Sequence, residues 1–482
     1  MPVEYDLVVI GDSFEGIYAA TMAAYLDARV ALVISEQPRT TGSAETIYLR
    51  TLSHIASRFQ QREEEAVLWD FPQPKMGKEI WTKAAILAEE VIATLNAENS
   101  LETLAVLGVD ILIGKGEFCR LPQQAFVVGH RRLRSRAYLL ATGSVPFIPP
   151  LEGLSKLGYL VPTDLWQTQN GDRAFQRIAI LGDNPIAVEL AQSLGYLGKE
   201  VFLLLQGDRI LPAEDIEAAF LLQCQLEAEG IGIFSQASAT QVRKIDAQKW
   251  IQGGNKAIEA DEILVALGEV PDVEGLNLEG VGVKLRSRRI VTNSKLQTTN
   301  PQIYACGSLL GGYGLTHIAR YEAEIAVKNA LFLPRQTVDY RCIPLAIFTS
   351  PNLARVGMNE ARARQQYGEA AVVVQSYYKS LPKALISGET TGFCKLVLHA
   401  DGEILGAHFV GAQAAESIAT VALAMQHRLD IKAMLHHFSV SPTFSEILQQ
   451  VAIAQQRHRL ASPSFFKALR KSGLRAMRNW SS

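Results

Sequence analysis

Apolar and polar residues follow one another in a regular order at the start of the chain. The apolar run from Tyr5 to Ile10 is followed by the glycine-containing segment Gly11 to Gly16, an alanine-rich stretch and a second apolar run from Val30 to Ile34. This order predicts a strand, a turn, a helix and a second strand. Together they form the opening βαβ unit of a doubly wound parallel sheet.

The same order recurs later in the chain. Arg177 to Leu181 is apolar after its first residue, Gly182 to Glu189 opens an amphipathic stretch, and Val201 to Leu205 is again apolar. Two units of this kind indicate two doubly wound domains much more strongly than one unit would. Further buried strands that end at glycine-containing turns are expected within residues 139–143, 263–268 and 303–308.

From about Val338 the pattern changes to short alternating strands and two helices. This change predicts a separate α+β domain. The predicted fold class is therefore α/β, with two doubly wound, Rossmann-like domains followed by a C-terminal α+β domain.

Composition narrows the class of protein. The chain has 482 residues, of which 48% are hydrophobic and 20% are charged, a balance typical of globular proteins. A chain of this length is expected to divide into about three or four domains. The net charge of −2 gives no general attraction to nucleic acid, so no nucleic-acid partner is predicted.

The N-terminus and the cysteines predict a compartment. Residues 1–11 have neither a basic start nor a small-residue cleavage site, and no uncharged apolar stretch is long enough to span a bilayer. The five cysteines are widely separated and form no short pair, as expected of buried thiols in a reducing environment. We therefore expect a cytoplasmic protein and predict no metal site.

Three segments of the last domain carry a family resemblance. Phe348 to Gly357 reads FTSPNLARVG, Ile404 to Gly411 reads ILGAHFVG, and Ser441 to Glu446 reads SPTFSE. With the two βαβ units before them, they resemble the pyridine nucleotide-disulfide oxidoreductases of the dihydrolipoamide dehydrogenase and mercuric reductase type. The resemblance covers about the first 450 residues.

The resemblance implies a homodimer, each subunit of which has an FAD domain, an inserted NAD(P) domain and a dimerisation domain. The predicted ranges are 1–150 for the first part of the FAD-type domain, 151–280 for the inserted NAD(P)-type domain, 281–337 for the second part of the FAD-type domain, 338–456 for the dimerisation domain and 457–482 for a basic amphipathic tail.

The redox centre that the resemblance implies is altered in this sequence. Relatives carry a Cys-x4-Cys pair on the helix that faces the flavin, and the register set by residues 49–52 puts Thr41 and Thr46 at these two positions. A hydroxyl does not cycle between oxidised and reduced states as a thiol does. The first cysteine of the chain is Cys119, far downstream of this helix.

The partner base of the family is altered as well. Relatives use a histidine held by a glutamate to move the thiol proton. Here the histidine position is Ser441, while the glutamate remains as Glu446. His436 and His437 lie just upstream and are alternative candidates, although we favour a surface or capping role for them. No confident catalytic residue is therefore predicted.

The flavin site that the resemblance implies is partly retained. Ser13 replaces the middle glycine of the phosphate-binding fingerprint, Ile34 stands at the acidic ribose-binding position with Glu36 close by, and Ser308 replaces the aspartate that contacts the ribityl chain. Arg50 and Glu189 are expected to form an ion pair beside the flavin. The other residues assigned to FAD are Gly11, Gly16, Ala141, Thr142, Gly143, Gly307 and His317.

The nicotinamide site has lost more of its pattern. Its fingerprint retains Gly182, but Asn184 stands at the middle glycine position. Leu205 stands where an acidic residue would accept a hydrogen bond from the ribose hydroxyl. Gln206 and Arg209 are candidates for recognising a 2′-phosphate, so NAD and NADP both remain open. FAD and NAD(P)H are the cofactors that the resemblance implies.

The C-terminal tail is basic and lies beyond the usual end of the family. Residues 457–482 carry seven Lys or Arg residues and no acid, and Ser462-Pro463 is a typical helix start. An amphipathic helix of this charge suits an anionic membrane surface or an acidic protein partner, which predicts peripheral membrane association as one alternative. A disordered, solubilising tail is the other.

Two functions of different class follow. The first is a flavoprotein that passes electrons from NAD(P)H through FAD to a non-disulfide acceptor such as a quinone, a metal ion or a second nucleotide. The second is a non-catalytic dimeric scaffold, a pseudoenzyme that docks through its tail. A thiol reductase that uses unrelated cysteines, with Cys306 as its candidate, is the least favoured because no two cysteines are close in sequence.

Overall fold

The computed structural model describes residues 3–36, 42–69, 79–97, 100–165, 175–246, 248–312, 314–436, 439–461, 472–475 and 477–478. The chain divides into two compact units. One comprises Met1–Leu211 and Leu226–Asp339, and the other comprises Pro212–Gln225 and Tyr340–Ser482. We describe each unit by itself.

The first unit contains both predicted βαβ patterns and the segments between them. Its strands are β1 (Tyr5–Ile10), β2 (Val30–Ile34), β3 (Asp110–Ile113), β4 (Gly116–Cys119), β5 (Ala125–Val128), β6 (Arg131–Leu133), β7 (Ser135–Leu140), β8 (Ser144–Pro146), β9 (Arg177–Leu181), β10 (Glu200–Leu204), β11 (Gly232–Phe234), β12 (Ala239–Ile245), β13 (Gln248–Gly253), β14 (Lys256–Ala260), β15 (Glu262–Val265), β16 (Glu269–Pro271), β17 (Leu285–Arg286), β18 (Arg289–Ile290) and β19 (Ile303–Ala305).

The helices of this unit connect and cover these strands. They are α1 (Phe14–Tyr25), α2 (Gly42–Trp69), α3 (Glu79–Ala97), α4 (Leu101–Val106), α5 (Leu154–Leu157), α6 (Pro185–Tyr196) and α8 (Thr316–Leu331), while α7 (Ile216–Ala228) crosses the boundary between the two units.

Two parallel sheets organise the first unit. Strands β19, β7, β1, β2 and β3 lie side by side in that order, and β11, β10, β9 and β15 form the second sheet. The smaller sheets β12-β13-β14 and β4-β5-β6 are antiparallel. Strand order and direction agree with the predicted pair of doubly wound units.

Alternation along β1 explains why its sequence is a continuous apolar run. Leu7 and Val9 pack into one hydrophobic cluster with α1 and α8, whereas Val8 and Ile10 pack into another on the opposite face. Successive side chains of a strand point to opposite faces, and a parallel sheet covered on both faces has no polar side. Because both faces of β1 are apolar, polar groups of a site are expected beyond its carboxyl end, in the loop that begins at Gly11.

The second unit has an antiparallel sheet of five strands, in the spatial order Leu345–Ile347, Asn352–Gly357, Ile404–Gly411, Phe393–His399 and Ala371–Tyr377. Its core combines this sheet with the long helices that follow it. The elements are β20 (Leu345–Ile347), β21 (Asn352–Gly357), α9 (Glu360–Tyr367), β22 (Ala371–Tyr377), α10 (Pro382–Ser387), β23 (Phe393–His399), β24 (Ile404–Gly411), α11 (Ala414–Gln426), α12 (Ile431–Leu435) and α13 (Glu446–Ala461).

The second unit confirms the predicted C-terminal α+β domain, but the prediction of two helices was wrong. The short helices α9, α10 and α12 accompany α11 and α13. Helices of only one or two turns carry too few residues to show a helical repeat of apolar positions, so the sequence pattern did not reveal them.

A buried charge cluster ties residues 212–225 to the sheet of the second unit. The Lys395 ammonium lies 2.9 Å from Asp215 and 2.8 Å from Glu217, although its side chain is only 2% exposed. It also lies 3.5 Å from Glu360 at the start of α9. Such a cation is stable in the interior only because several carboxylates replace its lost water.

Candidate functional site

The turn after β7 meets the start of α1 at the carboxyl end of the first sheet. Gly11 leaves no room for a Cβ atom because the Ala141 carbonyl lies against it. The Ser13 hydroxyl donates to the same carbonyl at 2.7 Å and accepts the Gly16 N–H at 3.3 Å. Ser13 is thus the N-cap of α1 and also links the two segments.

Thr142 and Gly143 continue this turn. The Thr142 hydroxyl donates to the Asp272 carbonyl at 2.6 Å, and the Asp272 N–H donates to the Gly143 carbonyl at 3.1 Å. A Cβ atom on Gly143 would come no closer than 3.8 Å to Ser13 and to the Ser308 hydroxyl. A methyl group at Gly143 would therefore be in ordinary van der Waals contact with both serines.

Two carboxyl groups meet at the short 3-10 helix Gly307–Leu310. The Gly307 N–H donates to Glu322 of α8 at 2.7 Å, and the Ser308 N–H donates to Glu15 of α1. Both glutamates are buried. Burial raises the pKa of Glu15 to about 7, and the neighbouring Glu322 charge acts in the same direction. Loss of hydration disfavours the ionised form of a buried carboxyl.

Sequence reasoning missed Glu15. Glu15 lies inside the fingerprint, between Gly11 and Gly16. In dinucleotide-binding βαβ units this segment brings the pyrophosphate close to the start of the helix. A charged side chain at that point of the pattern was the available signal.

Cys306 lies directly before this short helix and is buried. Burial raises the pKa of its thiol well above the usual value, and the nearby carboxyls Glu15 and Glu322 add to the effect. The nucleophilic form of cysteine is the thiolate, and this environment disfavours it.

Helix α2 contacts α6 through an ion pair. Arg50 pairs with Glu189, whose side chain is only 2% exposed, which confirms the contact expected from the sequence. One turn further along both helices, the hydroxyls of Ser53 and Ser193 lie 3.0 Å apart. The side chains of α2 are thereby fixed against the second βαβ unit.

Thr46 is half-buried and lies one turn before Arg50 on α2, whereas Thr41 lies outside the described residues. Beside Thr46, burial raises the pKa of Glu45 to about 7, and the Glu269 charge contributes to the shift. Glu269 accepts a hydrogen bond from Ser144. Glu45, which is half-buried, is a second titratable group that the sequence did not reveal, since its surroundings arise from tertiary contacts.

The second βαβ unit repeats the arrangement of the first. Gly182 follows β9, and Asn184 is the N-cap of α6, accepting the Ala187 N–H at 3.1 Å. The Asn184 amide also donates to the carbonyl of Ala266, just beyond β15. Leu205 is fully buried, while Gln206 is exposed.

Some predicted site residues lie at the margin of this region. Glu36 is exposed, two residues beyond the end of β2. His317 is the exposed second residue of α8.

The segment around the predicted partner base lies in the second unit. Ser441 is exposed, and Glu446 accepts the Thr443 N–H at 2.9 Å. This contact resembles one half of a capping box at the start of α13. His436 is exposed, and His437 lies outside the described residues.

The tail is described only in part. Residues 457–461 complete α13, and residues 472–475 and 477–478 are helical. The predicted helix start at Ser462-Pro463 and the aromatic residues Phe465, Phe466 and Trp480 lie outside the described residues. Among the helices described, none combines the length and apolar character needed to cross a membrane.

The frame of the first site fits FAD. The N-terminus of α1, the turn from Ala141 to Gly143 and the Ser308 segment surround the place where a dinucleotide pyrophosphate binds in this type of unit. The second site fits NAD(P)H less well, because Asn184 caps the helix and Leu205 offers no acceptor for the ribose.

Comparisons with known proteins agree with this architecture. Residues 5–323 match the family model described as pyridine nucleotide-disulphide oxidoreductase, and residues 343–452 match its dimerisation domain. The second match supports a homodimer. Members of the family bind FAD and NAD(P)H.

Curated relatives are similar over nearly the whole chain. Mercuric reductase from Staphylococcus aureus is 30% identical over 462 residues, which cover 93% of this chain and 82% of the relative. Dihydrolipoyl dehydrogenase from Synechocystis sp. is 29% identical over 475 residues, with 93% and 98% covered.

Solved structures show the same fold. LpdA from Mycobacterium tuberculosis superposes with a TM-score of 0.82 at 23% identity, covering 95% of this chain and all of the other, 100%. The HOCl-induced flavoprotein disulfide reductase RclA from Escherichia coli, as its Cu(II) complex, gives 0.80 at 24% identity, covering 94% and 99%. From these matches and from the two βαβ units, the chain belongs to the pyridine nucleotide-disulphide oxidoreductase family.

Proposed function

We propose that this protein is a homodimeric flavoprotein that oxidises NAD(P)H and passes the electrons through FAD to a non-disulfide acceptor. Bound FAD would supply the two-electron chemistry, as it does throughout the family. The turn from Ala141 to Gly143, the N-terminus of α1 and Ser308 would hold it.

The observation that carries this proposal is that α2 retains the ion pair with Glu189 but contains no cysteine. Thr46 lies one turn before Arg50, and Arg50 pairs with the buried Glu189. No cysteine precedes Cys119 in the chain. A helix of this kind keeps the framework of the site without a thiol to relay electrons, so direct transfer to an acceptor is favoured.

Glu45 supports proton transfer without a thiol or an imidazole. Its carboxyl lies next to Thr46 in sequence, and burial raises its pKa to about 7. A group with this pKa exchanges a proton readily at neutral pH. It would serve an acceptor, such as a quinone, that takes up protons with its electrons.

Absorbance spectroscopy and steady-state kinetics test the proposal. We expect purified protein to show oxidised-flavin bands, or to acquire them with added FAD, and NADH or NADPH to bleach them. Turnover should be measurable with a quinone and negligible with lipoamide or mercuric ion. Substantial lipoamide reduction, or a protein that takes up no FAD, would contradict it.

A non-catalytic dimeric scaffold is the second candidate, favoured by a different observation. Ser13 and Asn184 cap the two helices whose N-termini would otherwise face phosphate groups. A colourless protein that binds neither FAD nor NAD(P)H would support this candidate. Docking through the basic tail would then be tested by sedimentation with anionic vesicles, using protein truncated after residue 461 as the control.

A further inference from the structure

Glu15 is a buried charged residue of the candidate flavin site. It belongs to the first turn of α1 and is only 6% exposed. A Cβ atom on Gly307 would overlap its carboxyl group, and the Ser308 N–H donates to that carboxyl. The carboxyl thus lies between the N-termini of α1 and of the 3-10 helix Gly307–Leu310.

The N-terminus of α1 favours an anion. Backbone N–H groups at a helix N-terminus point outward without partners, and the helix dipole attracts negative charge. These features bind the pyrophosphate of a dinucleotide in βαβ units. Glu15 supplies a negative charge of the protein's own at this position.

The groups that face Glu15 do not neutralise it. Glu322 approaches from α8, and the Cys306 thiol approaches from the end of β19. Ser13 and Ser308 contribute only hydrogen bonds. An added pyrophosphate would therefore meet a buried carboxylate with a second carboxyl beside it.

We propose that Glu15 is an internal anion at the pyrophosphate position, so that FAD binds only when this carboxyl is protonated. The inference rests on the proposed function, because it takes FAD as the ligand of this site. It goes further in that it assigns a residue of this chain to control flavin uptake.

The sign of the pH dependence follows from the charge. Below about pH 7 the Glu15 carboxyl takes up a proton, which removes its repulsion of the diphosphate. FAD affinity should therefore fall as the pH rises from 6 to 8, by up to about tenfold per pH unit above the pKa. A site without this carboxylate has no such dependence.

Equilibrium dialysis of flavin-free protein against FAD, followed by flavin absorbance, provides the test. We expect Glu15→Gln to bind FAD at least about tenfold more tightly than the wild type at pH 8, and about equally at pH 6. The matched control is Glu324→Gln, which removes a half-exposed carboxylate of α8 that pairs with Lys328. Circular dichroism checks that each variant is folded.

Each result distinguishes the inference from the function on which it rests. Equal affinity of wild type and Glu15→Gln at pH 8, with flavin bound by both, overturns the role of Glu15 and leaves the flavoprotein function standing. Failure of both proteins to bind FAD at either pH overturns both. The pH dependence of the wild type alone is a second measurement that needs no variant.

Discussion

Glu15 and Gly307 are in direct contact across the carboxyl end of the first parallel sheet. Gly307 has a φ of +79°, and a Cβ atom there would overlap the Glu15 carboxyl. One residue is at the start of α1 and the other follows β19. The glycine is therefore required both by its backbone conformation and by the buried glutamate.

Replacement of Gly307 by alanine should destabilise the protein through both causes. The left-handed backbone costs an L-residue about 1–2 kcal/mol, and the clash with Glu15 adds to that cost. In the double variant Glu15→Ala/Gly307→Ala the clash is removed, but the cost of the left-handed backbone remains. The free energies of unfolding should therefore be non-additive, with a coupling of about 0.5–3 kcal/mol between the two positions. Urea denaturation of the wild type, both single variants and the double variant measures it, and strict additivity would contradict the contact.

Stability should depend on pH through Glu15. Burial raises its pKa from 4.5 to about 7, so the folded state binds the proton more tightly than the unfolded state. The stabilising contribution of the protonated form is complete below pH 4.5 and is lost as the pH rises to about 7. As the pH rises from 4.5 to 8, the wild type should therefore lose about 3 kcal/mol of free energy of unfolding relative to Glu15→Gln. A constant difference across this range would argue against it.

Removal of Arg50 alone should destabilise the protein more than removal of Arg50 and Glu189 together. Glu189 is almost completely buried, so Arg50→Met removes a cation that pairs with a buried carboxylate and should cost about 3 kcal/mol. The double variant Arg50→Met/Glu189→Leu should regain most of that loss. Ser53→Ala, at the neighbouring contact with Ser193, is the control and should cost only about 1 kcal/mol.

Replacement of Lys395 should destabilise the protein more than replacement of an exposed lysine in the same unit. Its side chain is 2% exposed and lies among Asp215, Glu217 and Glu360, so Lys395→Met should lower the free energy of unfolding by about 3–5 kcal/mol. Lys432→Met removes an exposed lysine that lies 3.5 Å from Asp430 and should cost less than about 1 kcal/mol. Equal losses in the two variants would show that burial is not the cause.

Thiol labelling should follow exposure. Cys224 is exposed, whereas Cys306 and Cys394 are buried and burial raises the pKa of both thiols well above the usual value. A thiol reagent followed by mass spectrometry should modify Cys224 rapidly in native protein, and the two buried thiols only after denaturation. Rapid native labelling of Cys306 would revive the hypothesis of a thiol reductase.

Several parts of the site could be predicted because they depend on local pattern. The strand and helix of each βαβ unit follow from apolar periodicity, and the pairing of Arg50 with Glu189 followed from the family resemblance. The capping roles of Ser13 and Asn184 were not predicted, although both residue types favour the N-cap. They had been considered only as obstacles to phosphate.

The surroundings of Glu15 and Glu45 could not be predicted from the sequence. Glu15 and Glu45 look like ordinary charged residues in the first turns of helices, and such residues are usually solvated. Their environment comes from the Ser308 segment and from Glu269, which belong to distant parts of the chain. The same holds for Lys395, whose partners include Asp215.

The sequence by itself determined the α/β architecture and the identity of the residues at each fingerprint position, because periodicity and residue type act locally along the chain. Only the tertiary structure decided which charges lose their water and which charges they meet. The pKa of a carboxyl depends on burial and on neighbours brought together by folding, so the chemistry of Glu15 was fixed by packing rather than by the motif in which it lies.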